Sequence, residues 1–102
     1  MVRSVLLLQP RGDDYAALLA FFREHDFLGL AVRDAGAHSA ELHVPLSGSG
    51  PVLVTALWDS AEAYDGWRSH LIRTTLGPQM AQLIEPAPPA VEGGLYDVVL
   101  TA

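Results

Sequence analysis

The sequence predicts an α+β fold, a ferredoxin-like βαββαβ chain whose four-stranded antiparallel sheet carries its helices on one face. Three observations lead to it. Two apolar runs, SVLLLQ (Ser4 to Gln9) and VLVTALW (Val52 to Trp58), each pass into a helix-start signal, which makes two strand-helix units. Between the first helix and the second unit, residues 28–46 alternate like strand, and LYDVVLT closes the chain as another apolar run. At 102 residues the chain suits one domain spanning 1–102, near the size at which one core is comfortable.

Each element has its own warrant. SVLLLQ is stopped by Pro10 and Gly12, as a buried strand entering a turn would be. Asp13 or Asp14 can cap a first helix whose apolar positions Tyr15, Leu18, Leu19 and Phe22, with Phe21 beside them, follow helical spacing and end before Gly29. LGLAVR and, after a DAGA break, AELHVPL both alternate with period two, which predicts one long bent strand or two. Ser47-Gly48-Ser49-Gly50 then connects to the Val52 strand.

That strand ends on Trp58, and Asp59 with Glu62 three positions on forms a capping-box-like start for a helix from about Ser60. Gly77-Pro78 interrupts this helix, and Pro78 suits the opening of a further short helix through about Ile84. Glu85 to Gly94, EPAPPAVEGG, is too rich in Pro and Gly for regular structure.

Composition removes whole classes of function. The net charge of −6, with no Lys and six scattered Arg, lacks the cation cluster that nucleic-acid binding needs. No apolar run approaches the roughly 20 residues of a membrane span, and residues 1–9 lack a signal-peptide pattern, so a soluble, cytoplasmic protein is expected. Without cysteine there is no disulfide, thiol nucleophile or cysteine-bound zinc, and His25, His38, His43 and His70 show no HxH or HExxH spacing for a metal. No preformed metal site is therefore expected.

Helices on one face leave the other face of an apolar sheet uncovered. A second copy related by a two-fold axis is the expected cover. At roughly 25 cal/mol per Å² of apolar surface, burial of several hundred Å² per chain would give a gross gain on the order of 10 kcal/mol before association costs.

The segment Leu57-Trp58-Asp59-Ser60-Ala61-Glu62-Ala63-Tyr64-Asp65-Gly66-Trp67 resembles the W-x-S-x-E-A-aromatic signature of the antibiotic biosynthesis monooxygenase family. The element order agrees over most of the chain. The resemblance implies a dimeric α+β barrel and a place among proteins that include cofactor-independent oxygenases of quinols and anthrones, haem-degrading enzymes and many small members of unassigned role. Three departures stand out. Trp67 occupies a position where many relatives carry His, the stretch from about Ala37 to Gly50 is longer than the usual connection, and the chain has no Asn, a residue that several relatives place near the pocket.

On that resemblance the expected function is monooxygenation of a small aromatic, quinol or polyketide-like substrate by dioxygen, without cofactor and in a homodimer. Trp58, Tyr64 and Trp67 are the candidate substrate-binding residues, although core packing is the plainer reading for Trp58 and an equal one for Tyr64 and Trp67. His43 and His70 are the candidate catalytic bases, since a histidine titrates near working pH, and Arg33 is the candidate stabiliser of a developing oxyanion. Glu41 and His43, two apart on a strand, project to one side and could share a proton, while solvent exposure is the plainer reading. Arg68 and Arg73 pair more naturally with surface carboxylates such as Asp65. The RGD at Arg11 to Asp13 reads as a turn and helix cap. Three other functions are open to the same fold: a non-redox polyketide cyclase or ligand-binding protein, a haem binder using His70, and an assembly module whose interior is simply packed.

Overall fold

The structure is a computed structural model that describes residues 1–85 and 91–102. Four strands form one antiparallel sheet: β1 (Val2–Leu8), β2 (Ser39–His43), β3 (Val52–Trp58) and β4 (Val91–Asp97), in the spatial order β2-β3-β1-β4. Four helices connect them: α1 (Tyr15–Glu24), α2 (Phe27–Arg33), α3 (Ala61–Arg68) and α4 (Leu71–Ala81). This is the ferredoxin-like α+β arrangement that the sequence predicts, with β1 and β3 in the middle and β2 and β4 at the edges.

Alternation divides the sheet into two unlike faces. Ser4, Leu6 and Leu8 of β1 share a face with Val52, Val54, Ala56 and Trp58 of β3, as the pairs Leu8–Val52, Leu6–Val54 and Ser4–Ala56 require. That face meets the helices: Leu8 and Val52 pack with Leu18, Phe21, Phe22, Phe27, Leu76 and Ile84, while Ala56 and Trp58 pack with Ala31, Ala37 and Tyr64. The opposite face presents Arg3, Val5 and Leu7 beside Leu57, Thr55 and Leu53, and none of these belongs to either core cluster.

Several helix starts and stops follow local chemistry. Asp14 caps α1 by accepting from Ala17 N at 3.1 Å, and the buried face of the helix is Leu18, Phe21 and Phe22. The Tyr15 hydroxyl donates to Gly50 O at 2.6 Å, which ties α1 to the loop before β3, and desolvation, then Asp13, pushes this phenol up from its ordinary range. The RGD segment is a 3₁₀ turn. Its Arg11 side chain donates to Ile84 O and Ala81 O and so closes the end of α4.

Five sequence expectations are corrected. The first concerns LGLAVR, which is the body of α2 and not a strand: Phe27 and Ala31, one helical turn apart, are both buried, so a pattern with period two conceals one of period 3.6. Arg33 ends this helix and pairs with Asp26 across it. Gly29 lies beneath the pair, where a Cβ would come within 2.6 Å of both Asp26 carboxylate oxygens, so a side chain there would make the exposed pair shift.

The other corrections concern boundaries. Ser60, not Asp59, caps α3, accepting from Ala63 N at 3.2 Å, while Asp59 pairs with His38 at 2.7 Å. Two residues are needed to turn from the end of β3 into the first helical turn. Ser60→Ala is expected to cost about 1 kcal/mol, read as a lower denaturation midpoint at unchanged slope. The break after α3 falls at Ser69 and His70, so Pro78 lies inside α4, where its fixed φ is helical and one backbone hydrogen bond is given up.

The last two lie at β4. Val91 to Gly94, expected as irregular, belongs to the strand, and a bulge between Val5 and Leu6 places Gly93 where a Cβ would come within 2.6 Å of Val5 Cγ1. The Pro-rich run at 86–90 lies outside the described residues. The strand also stops at Asp97, which pairs with Val2, and Val99 and Leu100 beyond it are 86% and 91% exposed.

Candidate functional site

Between the helix-bearing face of the sheet and the helices lies a cavity of about 160 Å³. Its floor is sheet: Ser4 and Leu6 from β1, Ala40 from β2, and Val54, Ala56 and Trp58 from β3. Its roof is helical, with Phe22, Phe27, Tyr64 and Trp67 as aromatic walls and Arg73 and Met80 from α4. The strand periodicity sets the floor, because small side chains at Ala40 and Ala56 leave space that a larger residue would fill.

Trp58 is fully buried at the end of β3. Its indole Nε1 donates to Ser4 Oγ at 3.0 Å, a bond that satisfies the indole and places Ser4, 6% exposed, at the cavity floor. The Tyr64 ring lies 5.8 Å from that of Trp58 at an interplanar angle of 59°. Trp67, one turn further along α3, faces the same space, and the Arg73 guanidinium lies 5.9 Å from the centre of its ring. Arg73 is partly exposed and has no carboxylate partner among the described residues.

The candidate residues thus fall into two sets. Trp58, Tyr64 and Trp67 converge on the cavity. His43, Arg33 and His70 do not line it. His43 is on β2 and pairs with Leu53, on the face away from the helices, with its Nε2 at 3.2 Å from Thr55 Oγ1 and 3.5 Å from Glu41. Glu41 and His43 do share one side, as the strand spacing requires. Arg33 closes α2 in its pair with Asp26, which raises its already high pKa first through the hydrogen bond and then through the charge. His70, at the α3–α4 break, lies against Trp67 with ring centres 5.3 Å apart.

Two polar cavity residues depart from the sequence reading: Ser4 is not singled out there, and Arg73, expected to pair with a surface carboxylate, lines the cavity with no such partner among the described residues. A signal for Ser4 exists: it is the polar member of a Ser4-Leu6-Leu8 face in an otherwise apolar strand. Arg73 has no such signal, because it and Trp67 lie on different helices and no single periodicity relates them. Among the described residues no three or more His, Asp or Glu side chains gather as a metal site would need, and no helix is long and apolar enough to cross a membrane.

No protein-family model matches the sequence, and no curated protein matches it. Solved structures match over nearly the whole chain. One is an antibiotic biosynthesis monooxygenase, 17% identical over 98% of this chain and 100% of its own, with a TM-score of 0.76. Another is the haem-degrader MhuD of Mycobacterium tuberculosis, with two haems in its active site, 19% identical over 100% of this chain and 99% of its own, with a TM-score of 0.75. A third is SnoaB, a cofactor-independent oxygenase from Streptomyces nogalater, 16% identical over 98% of this chain and 94% of its own, with a TM-score of 0.73. At these identities the likeness is one of fold: the chain has the fold of the antibiotic biosynthesis monooxygenases, as the Trp58 to Trp67 signature implies.

Proposed function

We propose that this chain is a monooxygenase of a small electron-rich phenol or quinol, using dioxygen without a bound cofactor and acting as a homodimer. The observation that carries the reading is the aromatic cavity under the helices with the Arg73 cation at its wall. The fold it shares with SnoaB supports the same chemistry.

An ionised phenol reduces dioxygen itself once its negative charge is delocalised onto a ring carbon. One oxygen atom then enters the ring at that carbon and the other leaves as water, with both hydrogens and all the electrons supplied by the substrate. What remains for the protein is to position the ring, exclude water and stabilise the anion. In this reading Trp58, Tyr64 and Trp67 flank the ring, Arg73 holds the anionic oxygen, and His70 positions Trp67. His43 and Arg33 have no part in it, because neither lines the cavity.

Dimerisation is proposed through the sheet face that the helices leave bare. Val5, Leu7, Leu53 and Leu57 are apolar there, and Glu41, His43 and Thr55 bring polar groups that a partner would have to match.

Oxygen uptake by metal-free protein, measured across a panel of electron-rich phenols and quinols, tests the reading. The expected product gains one oxygen and loses two hydrogens. Arg73→Gln is expected to lower kcat/KM by about a hundredfold, the magnitude of losing one aimed oxyanion donor. Ligand binding without any uptake would overturn the oxygenase in favour of a non-redox binding or cyclising role.

A further inference from the structure

We infer that the cavity takes a single-ring phenol in its ionised form, captured as the anion from solution and held by Arg73, with no base of the protein removing its proton. The inference rests on the oxygenase reading for its chemistry and stands apart from it for its binding.

Size comes first. The cavity measures about 160 Å³, close to the roughly 150 Å³ of an apolar cavity that binds benzene, whereas drug-sized ligands occupy sites of about 300–1,000 Å³. One benzenoid ring matches that volume, with Trp58, Tyr64 and Trp67 among its walls. A porphyrin or a tricyclic anthrone does not, unless the helix layer lifts from the sheet.

The ionisable groups come second. Among the described residues lining the cavity, none is a carboxylate or an imidazole; those that titrate are Tyr64 and Arg73. Tyr64 is itself a phenol, so it is no stronger a base than the substrate whose proton it would take. Arg73 stays protonated at any working pH. The four histidines lie elsewhere: His43 is across the sheet with Glu41, His38 is paired with Asp59, His70 is on Trp67, and His25 lies against Phe21 and Phe27 without lining the cavity. A neutral phenol entering this cavity would find no carboxylate or imidazole among the described lining residues to take its proton.

The polarity comes third. An anion in an apolar cavity is costly unless a counter-charge meets it. Arg73 supplies that charge from the helix layer, with no carboxylate partner among the described residues to satisfy it first. On the sheet floor Ser4 Oγ accepts the Trp58 N–H, which leaves its own hydroxyl proton to donate. The bound ring therefore has its anionic oxygen toward α4 and a position for a hydrogen-bond acceptor toward β1.

The test is a titration of the whole chain, free of metal, with single-ring phenols of graded acidity. It is followed by the fluorescence of Trp58 and Trp67, the two tryptophans of the chain, both of which line the cavity. Each phenol is expected to bind about tenfold more tightly above its own pKa than below it, so the pH midpoint moves from phenol to phenol. Arg73→Gln is expected to abolish that preference and Arg73→Lys to restore part of it, with unchanged circular dichroism showing that both variants fold. A midpoint fixed at one pH for all phenols would show a titrating group of the protein and overturn the inference, as would haem or an anthrone competing for the same cavity. Midpoints that track the phenols with no oxygen uptake would leave the inference standing and sink the oxygenase. Uptake with a fixed midpoint would do the reverse.

Discussion

Trp58→Ala is expected to lower stability by about 3–5 kcal/mol, the cost of removing a large buried aromatic. In a chain of 102 residues this corresponds to a fall in Tm of more than about 12 °C. The ring is fully buried, packs with Ala31, Ala37, Ala56 and Tyr64, and already borders a cavity, so truncation enlarges a void that the neighbours cannot collapse. It also leaves the buried Ser4 hydroxyl without the indole N–H. A double-mutant cycle separates the two effects. Trp58→Phe strands Ser4 and Ser4→Ala strands the indole, so the double variant should be more stable than the sum of the two losses predicts. A Tm shift of under about 4 °C for Trp58→Ala would mean that the ring is not packed as described.

Leu53→Glu is expected to convert a dimer into monomers at micromolar concentration while leaving the protomer folded. Leu53 lies on the sheet face away from the helices, opposite Leu7 on β1 and His43 on β2. It is 37% exposed in the isolated chain, so a charge there costs the protomer little. In a two-fold dimer the charge appears on both sheets and must be buried in an apolar contact, which is far more costly. Sedimentation equilibrium measures the association and circular dichroism the fold. A wild-type chain that is monomeric at those concentrations would overturn the dimer reading, and the bare sheet face would then need another cover.

The two variants probe opposite sides of the sheet, and the sides were unequally legible. Strand alternation alone assigns Ser4, Leu6 and Leu8 to one side and Val5 and Leu7 to the other, because the period of two is a property of extended backbone. Which side meets helices is not local. Residues 28–33 show why: Leu28, Leu30 and Val32 fit a strand, and only the burial of Phe27 and Ala31 against the rest of the core selects the helix. That misreading carried Arg33 with it, since a strand there would have put its side chain on the sheet and not at a helix end against Asp26.

Local chemistry by itself determined the two strand-helix units, the end of β3 at Trp58, a first-helix cap at Asp13 or Asp14, and the aromatic trio Trp58, Tyr64 and Trp67. Each of these depends on residues close together in the chain, within one strand-helix unit. Tertiary structure alone decided which cation meets the trio, that Ser4 lies under the indole, and that Asp97 pairs with Val2 at the last position of β4. The reason is the same in all three cases: contacts between residues far apart in the chain depend on register and helix placement, and no repeat in the sequence encodes either.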